Sequence, residues 1–296
     1  MNALPVKPPL TFRLADLADV AEVGMIDAWV LDHPDSMPFH RPIWLKAVEG
    51  GTTQQAHMLL AERDAVIVAV LPFHLVHSPL FGRALVSSGF GVGGGILSHD
   101  AAVNSHLAME ICKLAEGWSC PSIELRGGWM PKGARWSVKA DAHTSFGRPL
   151  QNDDAQELLA IPRKQRAEVR KGLEHGFTIE VGSAARDLDW HYAVYAESVR
   201  NLGTPVFPKA LMESVLLAFD GDADIMTVLH EGRPISSVLS LYHGATVMPY
   251  WGGGVPDARR LRANDVMYYT LMNHARRRGC TYFDFGRSKL GSGAFH

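Results

Sequence analysis

Three cysteines, Cys112, Cys120 and Cys280, are all that the 296 residues contain. They fit neither a disulfide framework nor the paired spacing of a zinc site, so they read as reduced core thiols in a cytoplasmic protein. No apolar stretch approaches the roughly 20 residues that a membrane span requires; the longest, Ala65 to Leu71, is far shorter. The segment Met1–Val20 has no uninterrupted apolar core and no small-residue cleavage site, so no signal peptide is expected. Charge of one sign is missing too. With 29 Lys and Arg against 31 Asp and Glu the net charge is −2, and any polyanion site must be a local basic patch. G-x-S-x-G, Walker A and H-E-x-x-H patterns are absent, which argues against a serine hydrolase, a P-loop enzyme and a zinc protease; no metal is expected.

What is present is a globular balance, 47% hydrophobic and 20% charged, over a length that suits two domains. The pattern of elements occurs twice. Residues 56–62 and 65–76 alternate as a β-hairpin about Arg63-Asp64, Arg83 to Ser88 adds a strand, and the chain enters Gly89-Phe-Gly-Val-Gly-Gly-Gly95. A helix over 101–118 and a short strand, Ser122 to Leu125, complete the first series. In the second, Asp224 to His230 and Ile235 to Tyr242 turn about Glu231-Gly-Arg-Pro234, and Thr246 to Trp251 runs into Gly252-Gly-Gly254. A helix over about 264–278 then leads to the strand Tyr282 to Phe285. From Gly95 to Cys120 is 25 residues and from Gly254 to Cys280 is 26.

Strand–strand–strand–glycine segment–helix–strand is the central unit of the acetyltransferase-type (GNAT) fold. The expectation is an α/β chain of two tandem, duplicated GNAT-like domains, 1–150 and 151–296, each a mixed, mostly antiparallel sheet flanked by helices. Glycines at a strand end before a helix leave backbone N–H groups free for an anionic ligand; they also make plain tight turns.

After the expected boundary comes Ile161-Pro-Arg-Lys-Gln-Arg-Ala-Glu-Val-Arg-Lys-Gly-Leu-Glu-His-Gly176. Arg163, Arg166 and Arg170 fall at i, i+3 and i+7, a stripe of guanidinium groups suited to phosphate. A solvated surface helix is the alternative.

This basic helix resembles that of the FemAB family of aminoacyl transferases, in particular the subgroup associated with PEP-CTERM/exosortase exopolysaccharide loci. The same family is similar in its glycine-rich strand end, Tyr250-Trp-Gly-Gly-Gly254, its helix start, Asn264-Asp-Val-Met-Tyr268, and its closing strand, Tyr282-Phe-Asp-Phe-Gly-Arg287. His33-Pro-Asp-Ser-Met-Pro-Phe-His40 with Trp44 is a weaker likeness to the family's N-terminal substrate-side segment. The resemblance implies transfer of an aminoacyl group from aminoacyl-tRNA to an amine of a cell-envelope or exopolysaccharide precursor. It makes Arg163, Arg166, Arg170, Tyr250, Trp251, Gly252, Gly253, Asn264, Arg287 and Lys289 candidate substrate-binding residues. The partners implied are a phosphate-bearing or nucleotide-sugar substrate and aminoacyl-tRNA, with no tightly held cofactor. Two features depart from the family: no long helical hairpin occurs, and the sequence stops at Gly291-Ser-Gly-Ala-Phe-His296. In the family this region continues into a lysine-bearing strand that completes the first domain, so the second domain reads as truncated.

Acyl transfer to an amine needs a positioned acceptor, oxyanion stabilisation and a place for the proton, with no covalent nucleophile. Asp284, a carboxylate on an aromatic strand, is the catalytic candidate, because such a group is costly unless paired; Arg287 or Lys289 could pair with it. His230, His243 and His274 are as readily structural. Two alternatives stand beside aminoacyl transfer. One is an acyl-CoA-dependent N-acetyltransferase in polysaccharide synthesis, disfavoured because Ala263 and Asp265 stand where a pyrophosphate-binding loop has glycines. The other is a non-catalytic binding module of the same fold.

Overall fold

A computed structural model describes residues 8–78, 82–140 and 143–289. The chain divides into two compact units between Val138 and Lys139.

In the first unit, β1 (Thr11–Leu14) leads to α1 (Val20–Asp32), whose start is fixed by Asp19 accepting from the amides of Ala21 and Glu22. A single 3-10 turn, Pro38–His40, precedes α2 (Pro42–Gly51). Then come β2 (Gln55–Arg63), β3 (Val66–Ser78), β4 (Gly82–Ser87), the two-residue β5 (Leu97–Ser98), α3 (Ala101–Gly117) and β6 (Ser122–Glu124). The sheet order is β1-β2-β3-β4-β6, with β5 beside β3. The hairpin between β2 and β3 turns through Asp64 and Ala65, both at positive φ, the twist that a two-residue hairpin loop favours.

The second unit opens on β7 (His143–Pro149), α4 (Asp154–Ala160), α5 (Arg163–Leu173), β8 (Thr178–Gly182), α6 (Ala185–Asn201) and α7 (Lys209–Phe219). The hairpin β9 (Ala223–His230) and β10 (Arg233–His243) turns at Glu231-Gly232, again both at positive φ. After it come β11 (Thr246–Gly254), α8 (Pro256–Leu261), α9 (Ala263–Arg277) and β12 (Tyr282–Lys289). The sheet order is β7-β12-β11-β10-β9-β8.

The expected repetition is present, pairing by pairing. β1-β2, β2-β3 and β3-β4 are antiparallel and β4-β6 parallel; β8-β9, β9-β10 and β10-β11 are antiparallel and β11-β12 parallel. Each unit closes over its own core. In the first, Leu59, Leu71, Phe73 and Leu85 meet Leu107 and Ile111 of α3; in the second, Met226, Val238 and Val247 meet Met267 and Leu271 of α9. Burying such side chains stabilises by about 1.5–3 kcal/mol each.

Two expectations need correction. The stretch from 137 to 150 does not end the first domain: β7 pairs antiparallel with β12 from Tyr282↔Pro149 to Lys289↔His143, which puts it in the second sheet. The boundary therefore falls near residue 138, not 150. The last strand also does not stop at Phe285. It continues through Gly286, Arg287 and Ser288 to Lys289, because β7 supplies a partner along its length. The expected truncation and the missing lysine concern residues beyond Lys289, outside the described ones.

Candidate active site

β11 and β12 are hydrogen-bonded neighbours only at Thr246↔Tyr282 and Val247↔Phe283. Beyond that, β11 stays with β10 to Gly254 while β12 stays with β7, and the two strands part. Near this divergence lies a pocket of about 610 Å³, within the range of small-ligand sites. α5 contributes Lys164, Gln165 and Val169; α9 contributes Asn264, Asp265, Tyr268, Tyr269 and Met272; β12 contributes Phe285 and β7 Arg148.

The helix pair is held close by Gly172, where a side chain would meet Val266 and the Arg262 carbonyl. Arg262 pairs with Glu168, and Gln165 donates to Asp265. On α5 the positions facing α9 are therefore Gln165, Glu168, Val169 and Gly172, an i, i+3, i+4, i+7 face. The arginine stripe lies on the other side. Arg163 and Arg170 are exposed, Arg166 donates to the Leu159 carbonyl at 3.0 Å, and none of the three lines the pocket. Lys164 does, at the rim.

Within the pocket, burial pushes the Asp265 carboxyl and the Tyr268 hydroxyl above their ordinary values. Arg148 is committed to Glu157, whose side chain is wholly buried and also accepts from the Gln151 amide at 2.8 Å. Tyr268 and Phe285 stack with ring centres 6.4 Å apart. The result is an aromatic-walled cavity with one carboxyl group that has no ion-pair partner among the described residues.

Other expected site residues fall elsewhere. Asp284 does not line the pocket. Its Oδ1 accepts from the Gly286 amide at 2.7 Å, an Asx turn that shapes the bulge at Phe285, while burial raises its carboxyl. Arg287 is exposed and makes no ion pair with it, and the side chain of Lys289 lies outside the described residues. Trp251 is buried, with Tyr250 and Phe207 against it at 4.9 and 6.2 Å, and Tyr250 is the bulged residue opposite Leu239 and Ser240. Gly252 is exposed in the strand. Gly253 makes room for Ser198 of α6, where a Cβ would stand 2.5 Å from that serine's Cβ; Gly254 makes room for Ala258 at 2.7 Å. Asn264 does line the pocket, and its Oδ1 accepts from Ser236 Oγ at 2.6 Å.

In the first unit the glycine segment is closed by its own chain. Ser88 donates to the Phe39 carbonyl, Trp44 Nε1 donates to Gly89 O at 3.2 Å, and Gly89 N donates to His74 Nδ1 at 3.0 Å. Gly91 packs on the Phe39 ring, and a Cβ on Gly95 would overlap the Gly127 carbonyl oxygen. Those glycines serve close packing, not ligand approach. Of the histidines weighed as structural or catalytic, His274 is tied to Asp224 at 2.9 Å, and that carboxylate also accepts from Tyr242 and from Arg278 at 3.1 Å. His230 packs on Phe177. Asp265, Tyr268 and Phe285 escaped sequence reasoning as site residues. The signal was there: Asp265, Tyr268, Tyr269 and Met272 stand at i, i+3, i+4 and i+7, a helix face that adjoins the core through Tyr268 and Met272.

Residues 163–294 match the acetyltransferase (GNAT) domain family. This chain has the tandem GNAT fold. Among solved structures, FemX is similar at a TM-score of 0.67 and 16% identity over 91% of this chain and 88% of that one. A tandem GNAT protein from the clavulanic acid biosynthesis pathway aligns at 0.58 and 11%, covering 97% and 92%. The C-terminal domain of a putative lysylphosphatidylglycerol synthetase from Agrobacterium fabrum aligns at 0.52 and 13%, covering 90% and 79%. No curated protein matches the sequence. At these identities the likenesses show the fold, and no helix among the described residues is long and apolar enough to cross a membrane.

Proposed function

We propose that the protein transfers an aminoacyl group from aminoacyl-tRNA to an amine of a cell-envelope or exopolysaccharide precursor, with the pocket between α5 and α9 holding the acyl donor. The observation that carries this reading is the pairing of an aromatic-walled pocket with a helix, α5, that exposes Arg163, Lys164, Arg170 and Lys171 beside it. A donor whose reactive end is small and whose body is a polyanion suits that pairing. The acceptor amine attacks the ester carbonyl of the donor, the C–O bond breaks, and the proton that the amine gives up passes through a base to the departing tRNA oxygen, which leaves as the hydroxyl. Asp265, half-buried with a raised carboxyl pKa, is placed in this reading to be that base. Of the similar structures, FemX bears a name of the FemAB kind, and the lysylphosphatidylglycerol synthetase domain is named for an aminoacylated product.

An acyl-CoA donor is the second reading, favoured by the tandem GNAT neighbour, whose structure is described as being without acetyl-CoA. Filter binding distinguishes the two. Aminoacyl-tRNA should bind with strong salt dependence, and replacing Arg163, Arg166 and Arg170 by Gln should flatten the slope of log K against log salt by roughly two to three. Acetyl-CoA binding with no tRNA binding would select the second reading.

A further inference from the structure

We propose that the first unit carries a second small-molecule site, on the outer face of α3, that takes a flat aromatic ring bearing an anionic group. The pocket there measures about 650 Å³ and lies between α3 and the segment from Trp129 to Trp136. Its place in the fold repeats that of the pocket on α9. Cys120 and Cys280 each donate their amide to the alanine five residues earlier, Ala115 and Ala275, so α3 and α9 align with an offset of 280 − 120 = 160 residues. On that offset Ser105, Ala108, Met109 and Cys112 of the first pocket fall on Asp265, Tyr268, Tyr269 and Met272, four of the five α9 residues that line the second. The inward residues also correspond: Val103, Leu107, Ile111 and Ala115 fall on Ala263, Met267, Leu271 and Ala275, all buried. Each helix thus turns one face to its sheet and the same second face to a ligand-sized cavity.

The chemistry of the two cavities differs. Where α9 offers a carboxyl group and two tyrosines, α3 offers Ser105, Ala108 and Met109, and the space this leaves is walled by the indoles of Trp129 and Trp136. Indole faces take flat rings. Of the charged groups around the cavity, Arg135 pairs with Glu116 at 3.1 Å and Lys113 with Glu110 at 2.6 Å. Lys132 has no ion-pair partner among the described residues and remains to meet an anion. Such a ring with its anion could belong to a nucleotide or to an aryl carboxylate.

Cys112 provides a local readout, since it lines the pocket while Cys120 and Cys280 are buried. The rate of its alkylation by iodoacetamide is measured by peptide mass spectrometry in the full chain. Adenosine monophosphate and 1-naphthoate represent the two sources of a ring-bearing anion; inorganic phosphate, acetate and the neutral 1-naphthamide lack the charge or the ring. At ten times its dissociation constant, at least one ring-bearing anion should slow labelling about tenfold by mass action, and the three controls should leave the rate unchanged. Lys132→Glu, at an exposed position, should abolish that protection without changing the melting temperature. No slowing by either anion, slowing by a control, or undiminished protection in Lys132→Glu overturns the proposal.

Discussion

In the first unit the glycine segment after β4 is sealed by Phe39, Trp44 and Gly127, whereas in the second the corresponding glycines are strand residues near an open pocket. The frame is the same: equal strand order, equal hairpin turns and helices in the same register. The two units diverge in the course of the chain at the end of the strand. β4 stops at Ser87 and the chain folds back on itself, while β11 runs on to Gly254 and parts from β12. A repeated sequence pattern therefore repeats a backbone, and the segments added to it decide what lines the cavity beside each crossover helix. In the second unit those additions are β7, α4 and α5, which give β12 an outer partner strand and the crossover helix α9 a partner helix.

The largest expected effect tests whether catalysis belongs to the second unit alone. Asp265→Asn should lower kcat by about 10²–10⁴ if its carboxylate takes the proton, and should remove an acid limb that in the parent lies above the ordinary carboxylate range. Asp284→Asn, at the Asx turn, should stay within a few-fold of the parent. Steady-state rates across pH decide it; equal losses in both variants would return the catalytic role to the strand.

A second effect concerns the buried imidazoles, one in each unit. Burial pushes His191 to about 3 and His74 to about 4, against an ordinary value near 6.5. Below that ordinary value the unfolded chain takes up protons that the folded chain refuses, so stability is full above it. It falls as pH drops toward each folded pKa, by up to about 1.4 kcal/mol per pH unit for each histidine. His74 uses both ring nitrogens, accepting from Gly89 and donating to Leu45 O at 3.2 Å; His191 Nδ1 meets Ser237 Oγ at 3.0 Å, and its Nε2 has no hydrogen-bond partner among the described residues. Urea titrations between pH 7 and 4 should show a shallower acid loss in His191→Gln than in the parent.

How much of this the sequence carried depends on the kind of signal. Hairpins, crossover helices and the Gly-to-Cys spacing were legible because periodicity and turn residues are local. The edge strand β7 was not, since only its pairing with β12, over a hundred residues away, assigns it to the second sheet. The arginines of α5 do share one face, as their spacing says, but which side faces α9 is set by Gly172 and Val169, which carry no charge to notice. Asp284 stands out as a carboxylate among aromatics; the amide that satisfies it, Gly286, is two residues on and invisible to a charge-pairing argument.

A smaller effect sharpens the contrast between the glycines. Gly95→Ala forces a methyl into the Gly127 carbonyl and should cost about 1–3 kcal/mol, as overpacking does. Gly252→Ala meets chiefly the Val238 side chain, at 3.1 Å, and should stay within about 0.5 kcal/mol of the parent. Chemical denaturation of both variants gives the two numbers, and similar costs would mean that Gly95 and Gly252 do not differ in packing.

Hydrogen exchange read by mass spectrometry, with and without a non-hydrolysable aminoacyl-adenosine analogue, tests the placement of the donor most directly. Slowed exchange in α5, α9 and the Phe285 bulge of β12, with the Gly89–Gly95 segment unchanged, is the predicted result. Protection of that glycine segment, or none in α5 and α9 at a saturating concentration, would contradict a donor site in the second unit.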